Sequence, residues 1–303
     1  MSPTLGTPVV ESRRMGPALD VQLTAPDPHP FVKWAGGKGS LVSEITARIP
    51  RGRAFRRYVE PFVGAGALFF WIRRSFPDLE CLIADSNEEL INAYRAIRDD
   101  VDRVLTKLET HQVLHSREHY YNVRRSAPRE LTERTARFIY LNHTCYNGLY
   151  RVNRRGAFNV PMGRYDRPRI VDRENLLAVA TSLRGVAIEA ADFELVTEGS
   201  GPGDLIYLDP PYHPVSGTSA FTSYTAGGFG ADEQRRLARL FEKLSRQGAF
   251  VILSNSSSNL VRELYGSLDP LPQIDEVEVA RAINSKAKSR GAVAELLIHS
   301  VPE

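Results

Sequence analysis

Short apolar runs alternate along the chain with longer segments whose apolar residues recur every three or four positions. The runs at 57–60, 81–84, 186–190, 205–208 and 249–253 have the length of strands. Each leads into a turn or a polar residue: Gly64-Ala65-Gly66, Asp85, Asp192, Asp209 and Ser254-Asn255 in turn. Between them, 87–108 and 232–246 carry the spacing of amphipathic helices. A last strand is expected at 293–300. Strand, loop and helix in alternation predict an α/β fold with a mostly parallel sheet. Ligands of such sheets sit at the carboxyl ends of the strands.

The stretch 88–184 breaks this rhythm. Amphipathic helices come first, one of them over 134–141. Residues 142–165 follow, dense in Gly, Asn, Tyr and Arg. Asn153-Arg154-Arg155-Gly156 has the composition of a hairpin tip between 149–152 and 157–160. The stretch is read as a helical insertion carrying a basic hairpin, between two parts of one domain at 29–87 and 185–303. Residues 1–28 are rich in Pro, Gly, Ser and Thr without apolar periodicity, and are expected to be an unstructured tail. The segment 213–230, with Gly, Ser and Thr throughout, is expected to act as a lid. No internal repeat is present.

Composition narrows the class. With 42% apolar and 25% charged residues over 303 positions, the chain can bury a sizeable core. No apolar run approaches the roughly 18 residues of a membrane span. Arg13 and Arg14 precede no apolar stretch, so no secretory signal is expected. Two cysteines, Cys81 and Cys145, are too few for a disulfide scaffold, and no Cys/His spacing suggests zinc. The cytoplasm is the expected compartment.

The net charge of +3 hides an asymmetry. Residues 145–173 hold seven Arg against two Asp, or +5, which leaves about −2 for the rest. A basic stripe on a near-neutral body suits a polyanion. A general preference for Arg also contributes, since 33 Arg stand beside six Lys.

Three motifs carry candidate chemistry. In Leu208-Asp209-Pro210-Pro211-Tyr212, two prolines follow a strand and cannot extend its hydrogen bonding. They hold a carboxylate, a backbone carbonyl and an aromatic face around one small space, which suits a planar base with an exocyclic amino group. In Glu60-Pro61-Phe62-Val63-Gly64-Ala65-Gly66, glycines at a strand-to-helix turn let the backbone approach a ligand. Asp85, about 20 residues on, suits a ribose diol. Leu68 and Phe69 stand where the last glycine of a dinucleotide fingerprint would fall, which favours a nucleoside cofactor other than NAD. Phe31-Val32-Lys33-Trp34-Ala35-Gly36-Gly37-Lys38 lacks the preceding strand and the following Ser or Thr of a phosphate loop.

Taken in order, Lys-Trp-Ala-Gly-Gly-Lys (33–38), Glu-Pro-Phe-Val-Gly-Ala-Gly (60–66), Ala-Asp-Ser-Asn (84–87), Tyr-Asn-Gly-Leu-Tyr-Arg (146–151), Phe-Asn-Val-Pro-Met-Gly-Arg-Tyr (158–165) and Asp-Pro-Pro-Tyr (209–212) closely resemble the motifs of the Dam-type DNA adenine-N6 methyltransferases. The resemblance spans about 31–298. It implies a Rossmann-like S-adenosylmethionine-dependent methyltransferase sheet with an inserted helical DNA-recognition domain carrying a β-hairpin. The implied cofactor is S-adenosylmethionine, the implied substrate is adenine in double-stranded DNA at GATC, and no metal is implied.

The resemblance also assigns positions. Trp34, Lys38, Glu60, Phe62, Gly64, Gly66, Asp85 and Asp192 are implied cofactor-pocket residues. Asp209, Pro210, Pro211 and Tyr212 form the implied catalytic loop, with Asp209 also bordering the cofactor. Tyr146, Asn147, Leu149, Arg151, Arg155, Pro161 and Arg164 are implied DNA contacts, Arg151 as the reader of a guanine. A monomer at the nucleoid, with a cognate restriction endonuclease as a compatible partner, completes the expectation. One departure is His143-Thr144-Cys145, where the family has more Arg, Tyr or Gly character. An RNA or protein methyltransferase has no evident use for the Tyr-rich basic hairpin. An inactive DNA-binding relative has no need of intact Asp85, Asp209 and Tyr212.

Overall fold

The computed structural model describes residues 26–214, 229–280 and 292–301. The elements in chain order are α1 (Val42–Ala47), β1 (Arg57–Glu60), α2 (Ala67–Ser75), β2 (Glu80–Asp85), α3 (Glu88–Val113), α4 (Arg117–Arg125), α5 (Leu131–Thr144), α6 (Arg173–Ser182), β3 (Ala187–Ala190), α7 (Phe193–Val196), β4 (Asp204–Leu208), α8 (Ala231–Arg246), β5 (Phe250–Ser256), α9 (Asn259–Gly266), β6 (Gln273–Ala280) and β7 (Ala292–His299).

The strands form one seven-stranded sheet in the order β3-β2-β1-β4-β5-β7-β6. Neighbours from β3 to β5 pair in parallel, whereas β7 runs antiparallel to both β5 and β6. Successive strands build outward from β1 on one side and from β4 on the other. The order therefore reverses between β1 and β4, and the crevice at their carboxyl ends is the natural ligand site of such a Rossmann-like sheet.

Alternation along the strands explains the two-sided core. Tyr58, Ile83, Leu205, Tyr207, Phe250 and Ile252 point to one apolar cluster. Val59, Ala84, Ile206, Leu208, Val251 and Leu253 point to the other. Helices α8 and α9 cover the second face with Leu237, Phe241, Leu244, Val261 and Tyr265. The first face continues without a break into α3 and α5, through residues such as Ile91, Tyr94 and Ile139. Burial of both faces explains why β4 and β5 are apolar throughout.

Helix α3 starts at Asn87, whose side chain accepts from the Leu90 amide at 3.2 Å. Its regular geometry breaks at Asp100. Before that break, Arg95 and Arg98 donate to the carbonyls of Ile188 and Val186, fixing α3 against β3.

Two local expectations change. The basic hairpin pairs only at isolated points, Val152 with Phe158 and Cys145 with Met162, rather than as two strands. Strand β6 carries charges at Asp275, Glu276 and Glu278 and lies at the sheet edge, so its sequence shows no apolar run. The expected tail at 1–28 falls mostly outside the described residues, as does the expected lid at 213–230. Both cysteines are buried free thiols. Among the described residues, no helix is long and apolar enough to cross a membrane.

Candidate active site

The loop after β4 is held from several directions. Asp209 Oδ1 lies 2.9 Å from Lys38 Nζ and accepts from Ser254 Oγ at 2.8 Å. Lys38 also donates to the Gly36 carbonyl at 2.6 Å, and its ammonium stands 4.4 Å from the centre of the Tyr212 ring. The 33–38 segment thus delivers a buried cation to the tip of β4. The Tyr212 hydroxyl donates to Glu295 Oε2 on β7 at 2.7 Å. The Pro211 carbonyl accepts from Gln234 Nε2 at 3.1 Å, and Gln234 in turn accepts from Asn255 Nδ2 at 2.9 Å. Burial pushes the Asp209 carboxyl above its ordinary range, while Lys38 and the Ser254 hydrogen bond pull it down.

The turn after β1 supplies the second half. Gly64 and Gly66 adopt φ of +48° and +75°. A β-carbon on Gly64 would lie 2.9 Å from Trp34 Cδ1, and one on Gly66 would lie 2.6 Å from the Tyr94 hydroxyl. Only glycine fits either place. The Gly64 amide donates to Asp85 Oδ2 at 3.2 Å and the Asn87 amide to Oδ1 at 2.8 Å. The Tyr94 hydroxyl closes the turn on the Gly64 carbonyl at 3.0 Å. Burial raises Asp85 to about 6 against the pull of those two amides. Glu60, buried beneath, is likewise pushed well above its ordinary range by burial, although the Tyr58 hydroxyl donates to it at 2.8 Å. Asp209 adds to the rise in both Glu60 and Asp85, so the three carboxyls share one field.

Phe62 stacks on Phe193 with ring centres 5.4 Å apart, and Phe229 meets it edge-on. Asp192 lies at the rim of this aromatic patch. It accepts from the Glu194 amide and pairs with Arg236 on α8, each at 3.0 Å.

The expected DNA-contacting residues form a second group. Tyr146 and Asn147 are exposed in a short turn after α5, Asn147 with φ +54°. The Tyr146 amide donates to the Pro161 carbonyl at 2.9 Å, joining the two sides of the hairpin root. Leu149 is half-buried. Arg151, Arg155, Pro161 and Arg164 are exposed, and Arg151 Nε donates to Asn159 Oδ1 at 2.7 Å. Trp34 links the two groups: it covers Gly64 and stacks on Tyr150 with ring centres 5.6 Å apart. At the departure noted above, His143 turns inward, its two ring nitrogens facing the carbonyls of Phe31 and Arg169.

Sequence reasoning missed Tyr58, Tyr94, Asn142, Ser254 and Glu295. Asn142 is buried and brackets the Lys33 backbone with two hydrogen bonds of 2.8 Å. The one available signal was Ser254-Asn255 closing a buried strand. The others depend on partners far away in sequence.

Comparison with known proteins bears on this arrangement. The D12 class N6 adenine-specific DNA methyltransferase family matches residues 34–283. A type II methyltransferase of Methanocaldococcus jannaschii is 40% identical over 285 residues, covering 89% of this chain and 98% of the relative. A second type II methyltransferase, from Lactococcus lactis subsp. cremoris, is 40% identical over 279 residues, covering 89% and 94%. A DNA adenine methylase of Vibrio cholerae is 34% identical over 277 residues, covering 90% and 96%. Matches of that extent leave only the ends of the chain unaccounted for: it belongs to the D12 class of N6 adenine-specific DNA methyltransferases.

Proposed function

We propose that this enzyme transfers a methyl group from S-adenosylmethionine to adenine N6 in duplex DNA, with GATC as its target. The observation that carries the reading is the crevice at the β1–β4 reversal. There the glycine turn, Asp85 and the Asp209 loop lie close enough for their carboxyls to perturb one another.

The crevice fits the donor. Trp34 and Tyr94 pack directly on the glycine turn and hold its backbone at the carboxyl end of β1, where the donor would lie. The Asp85 carboxylate suits a ribose diol, and the Phe62–Phe193 stack beside Asp192 suits an adenine ring. Trp34, Lys38 and Glu60 line the remaining side. When bound, S-adenosylmethionine supplies a methyl group on a positively charged sulfur.

The chain's own residues prepare the acceptor. The N6 lone pair of adenine is delocalised into the ring. Asp209 and the Pro210 carbonyl would each accept a hydrogen bond from N6, turning its lone pair out of conjugation and towards the methyl. As the N–C bond forms, the C–S bond would break to leave a neutral thioether, and the proton that the cationic N6 then sheds would pass to solvent. The contribution is positioning and electrostatics rather than strong basicity. The target adenine must leave the duplex, at a cost of a few kcal/mol. Tyr212 stacks on the extruded base, and the exposed Tyr146 fills the gap. Arg151 pairs with guanine, Asn147, Leu149 and Pro161 border the same groove, and Arg155 and Arg164 meet phosphates.

In this reading 88–184 is the recognition region, and 29–87 with 185–303 is the catalytic one. Cofactor and DNA residues on one chain support a monomer as the acting unit. Kinship with type II methyltransferases supports a cognate restriction endonuclease as partner.

Methylation-sensitive sequencing of DNA incubated with purified protein and S-adenosylmethionine tests the reading. Methyladenine confined to GATC is expected, and Asp209→Ala is expected to abolish transfer while still shifting DNA in a gel. Methyladenine only outside GATC overturns the specificity. No transfer from this donor overturns the chemistry.

A further inference from the structure

The two donors that reach Asp209 converge on the same oxygen. Lys38 Nζ and Ser254 Oγ both lie within 2.9 Å of Oδ1. Among the described residues, nothing donates to Oδ2. Ser254 lies within β5, one residue beyond the Leu208–Leu253 pair of the parallel ladder and opposite Leu297 of β7, so it lies abreast of Asp209. Its Oγ is also 2.9 Å from the hydroxyl of Tyr207, which is buried within β4.

The direction of this chain follows from proton counting. A serine hydroxyl has one hydrogen, and Ser254 gives it to the Asp209 carboxylate. The Tyr207 hydroxyl must then donate to Ser254 Oγ. Tyr207 orients Ser254, and Ser254 orients Asp209. Two donors on one oxygen fix the carboxylate about its last bond and leave the other oxygen with its lone pairs unspent.

We infer that Ser254, backed by Tyr207, is a positioning residue that locks Asp209 through Oδ1 and reserves Oδ2 for the amino group of the substrate base. The inference rests on the reading of Asp209 as the acceptor of an N6 hydrogen. It gives a task to a buried serine that the sequence shows only as the polar end of a strand.

The surroundings fix the sign of a pH effect. Lys38 and Ser254 favour the ionised carboxylate. Glu295, on β7, opposes it. Glu60 and Asp85, at the ends of β1 and β2, sit in the same field, and the neighbouring hydroxyls of Tyr207 and Tyr212 stay protonated because burial pushes both up. Removing the Ser254 hydrogen bond leaves the acids unchanged and one stabilising donor fewer. The acid limb of the rate profile moves to higher pH.

The test compares the full chain with Ser254→Ala, Tyr207→Phe, the Tyr207→Phe/Ser254→Ala double variant and Asp209→Ala. Each is assayed by tritium transfer from S-adenosylmethionine to a duplex carrying the mapped target. In Ser254→Ala, kcat is expected to fall roughly 10–100-fold, since displacing a reacting group by about 1 Å costs up to about 100-fold. KM for donor and DNA is expected to stay within about twofold of wild type, with the acid limb moved upward. The double variant is expected to match Ser254→Ala, because Tyr207 acts only through Ser254. Unchanged kcat and pH profile in Ser254→Ala, beside an inactive Asp209→Ala, overturn the inference. So does recovery in the double variant, which traces the defect to a stranded tyrosine hydroxyl. Full activity in Asp209→Ala overturns instead the reading on which the inference rests.

Discussion

The Tyr94 hydroxyl stands where a side chain on Gly66 would begin. A β-carbon on Gly66 would lie 2.6 Å from that oxygen, which is already committed to the Gly64 carbonyl. A tyrosine on α3 thereby shapes a turn after β1, and the shape of that turn decides what can approach its backbone.

Gly66→Ala is therefore expected to destabilise the fold by about 2–4 kcal/mol, from the left-handed backbone and the forced contact together. Adding Tyr94→Phe is expected to recover only the share due to contact. Urea unfolding of the single and double variants separates the two parts. A double variant no more stable than Gly66→Ala would place the whole cost in the backbone.

Replacing Lys38 removes the cation beside a buried carboxylate. In Lys38→Met the Asp209 carboxyl is expected to rise further and take up a proton. Each pH unit by which its pKa exceeds the assay pH leaves about tenfold less ionised enzyme. Activity is expected to drop at neutral pH and recover partly in alkaline buffer, as a rate profile between pH 6 and 9 would reveal. A uniform loss across that range would assign Lys38 a task other than keeping Asp209 charged.

Asp85, raised to about 6 by burial, sets a pH dependence of stability. Because the folded chain holds this proton more tightly than the unfolded one, the group favours folding below about pH 4 and loses that benefit as pH rises through 6. At neutral pH the wild type carries the full burden of a buried charge. Asp85→Asn is expected to be more stable there by at most about 3 kcal/mol, reduced by the one backbone amide that an Asn side chain cannot accept, a gap that narrows below about pH 4. The same variant is expected to bind S-adenosylmethionine at least about tenfold more weakly, as loss of one charged hydrogen bond implies. Denaturant titrations at three pH values and calorimetry with the donor check both halves.

Arg151 and Arg155 are expected to fail differently. The Arg151 side chain is held at Nε by Asn159, whereas only the backbone of Arg155 is fixed, by Asn153, and its side chain is free of such a contact among the described residues. Arg151→Ala is expected to relax discrimination at guanine by about 1–3 kcal/mol. Arg155→Ala is expected to weaken binding to all DNA and reduce the salt slope by about 0.9. Binding titrations across salt concentrations on target and altered duplexes distinguish them.

Much of the sheet was legible because its strands are short, apolar and punctuated. Asp85 and Asp209 could be placed at strand ends from the sequence alone. Strand β6 was not legible, since an edge strand with charges at Asp275, Glu276 and Glu278 lacks the continuous apolar signal. The reversal that puts β7 between β5 and β6 depends on pairing at a distance, as in Leu253 with Ile298. The resemblance implied a role for Lys38, but its partner Asp209 lies 171 positions away, beyond the reach of any local pattern. Ser254 was hidden for the same reason.

The hairpin has a buried root and an exposed tip. Cys145 is buried at its base, and Gly148 packs so tightly on Lys33 that no side chain fits. At the tip, by contrast, a β-carbon on Gly156 would meet nothing within 4 Å, and Arg154 and Arg155 are exposed. Substitutions at such exposed positions usually change stability by less than about 0.5 kcal/mol. Inheritance can thus rewrite the tip in small neutral steps while the catalyst stays as it was. On the proposed reading, in which Arg155 meets phosphate, such steps would first retune how strongly this chain holds any DNA, long before any strand of the sheet had changed.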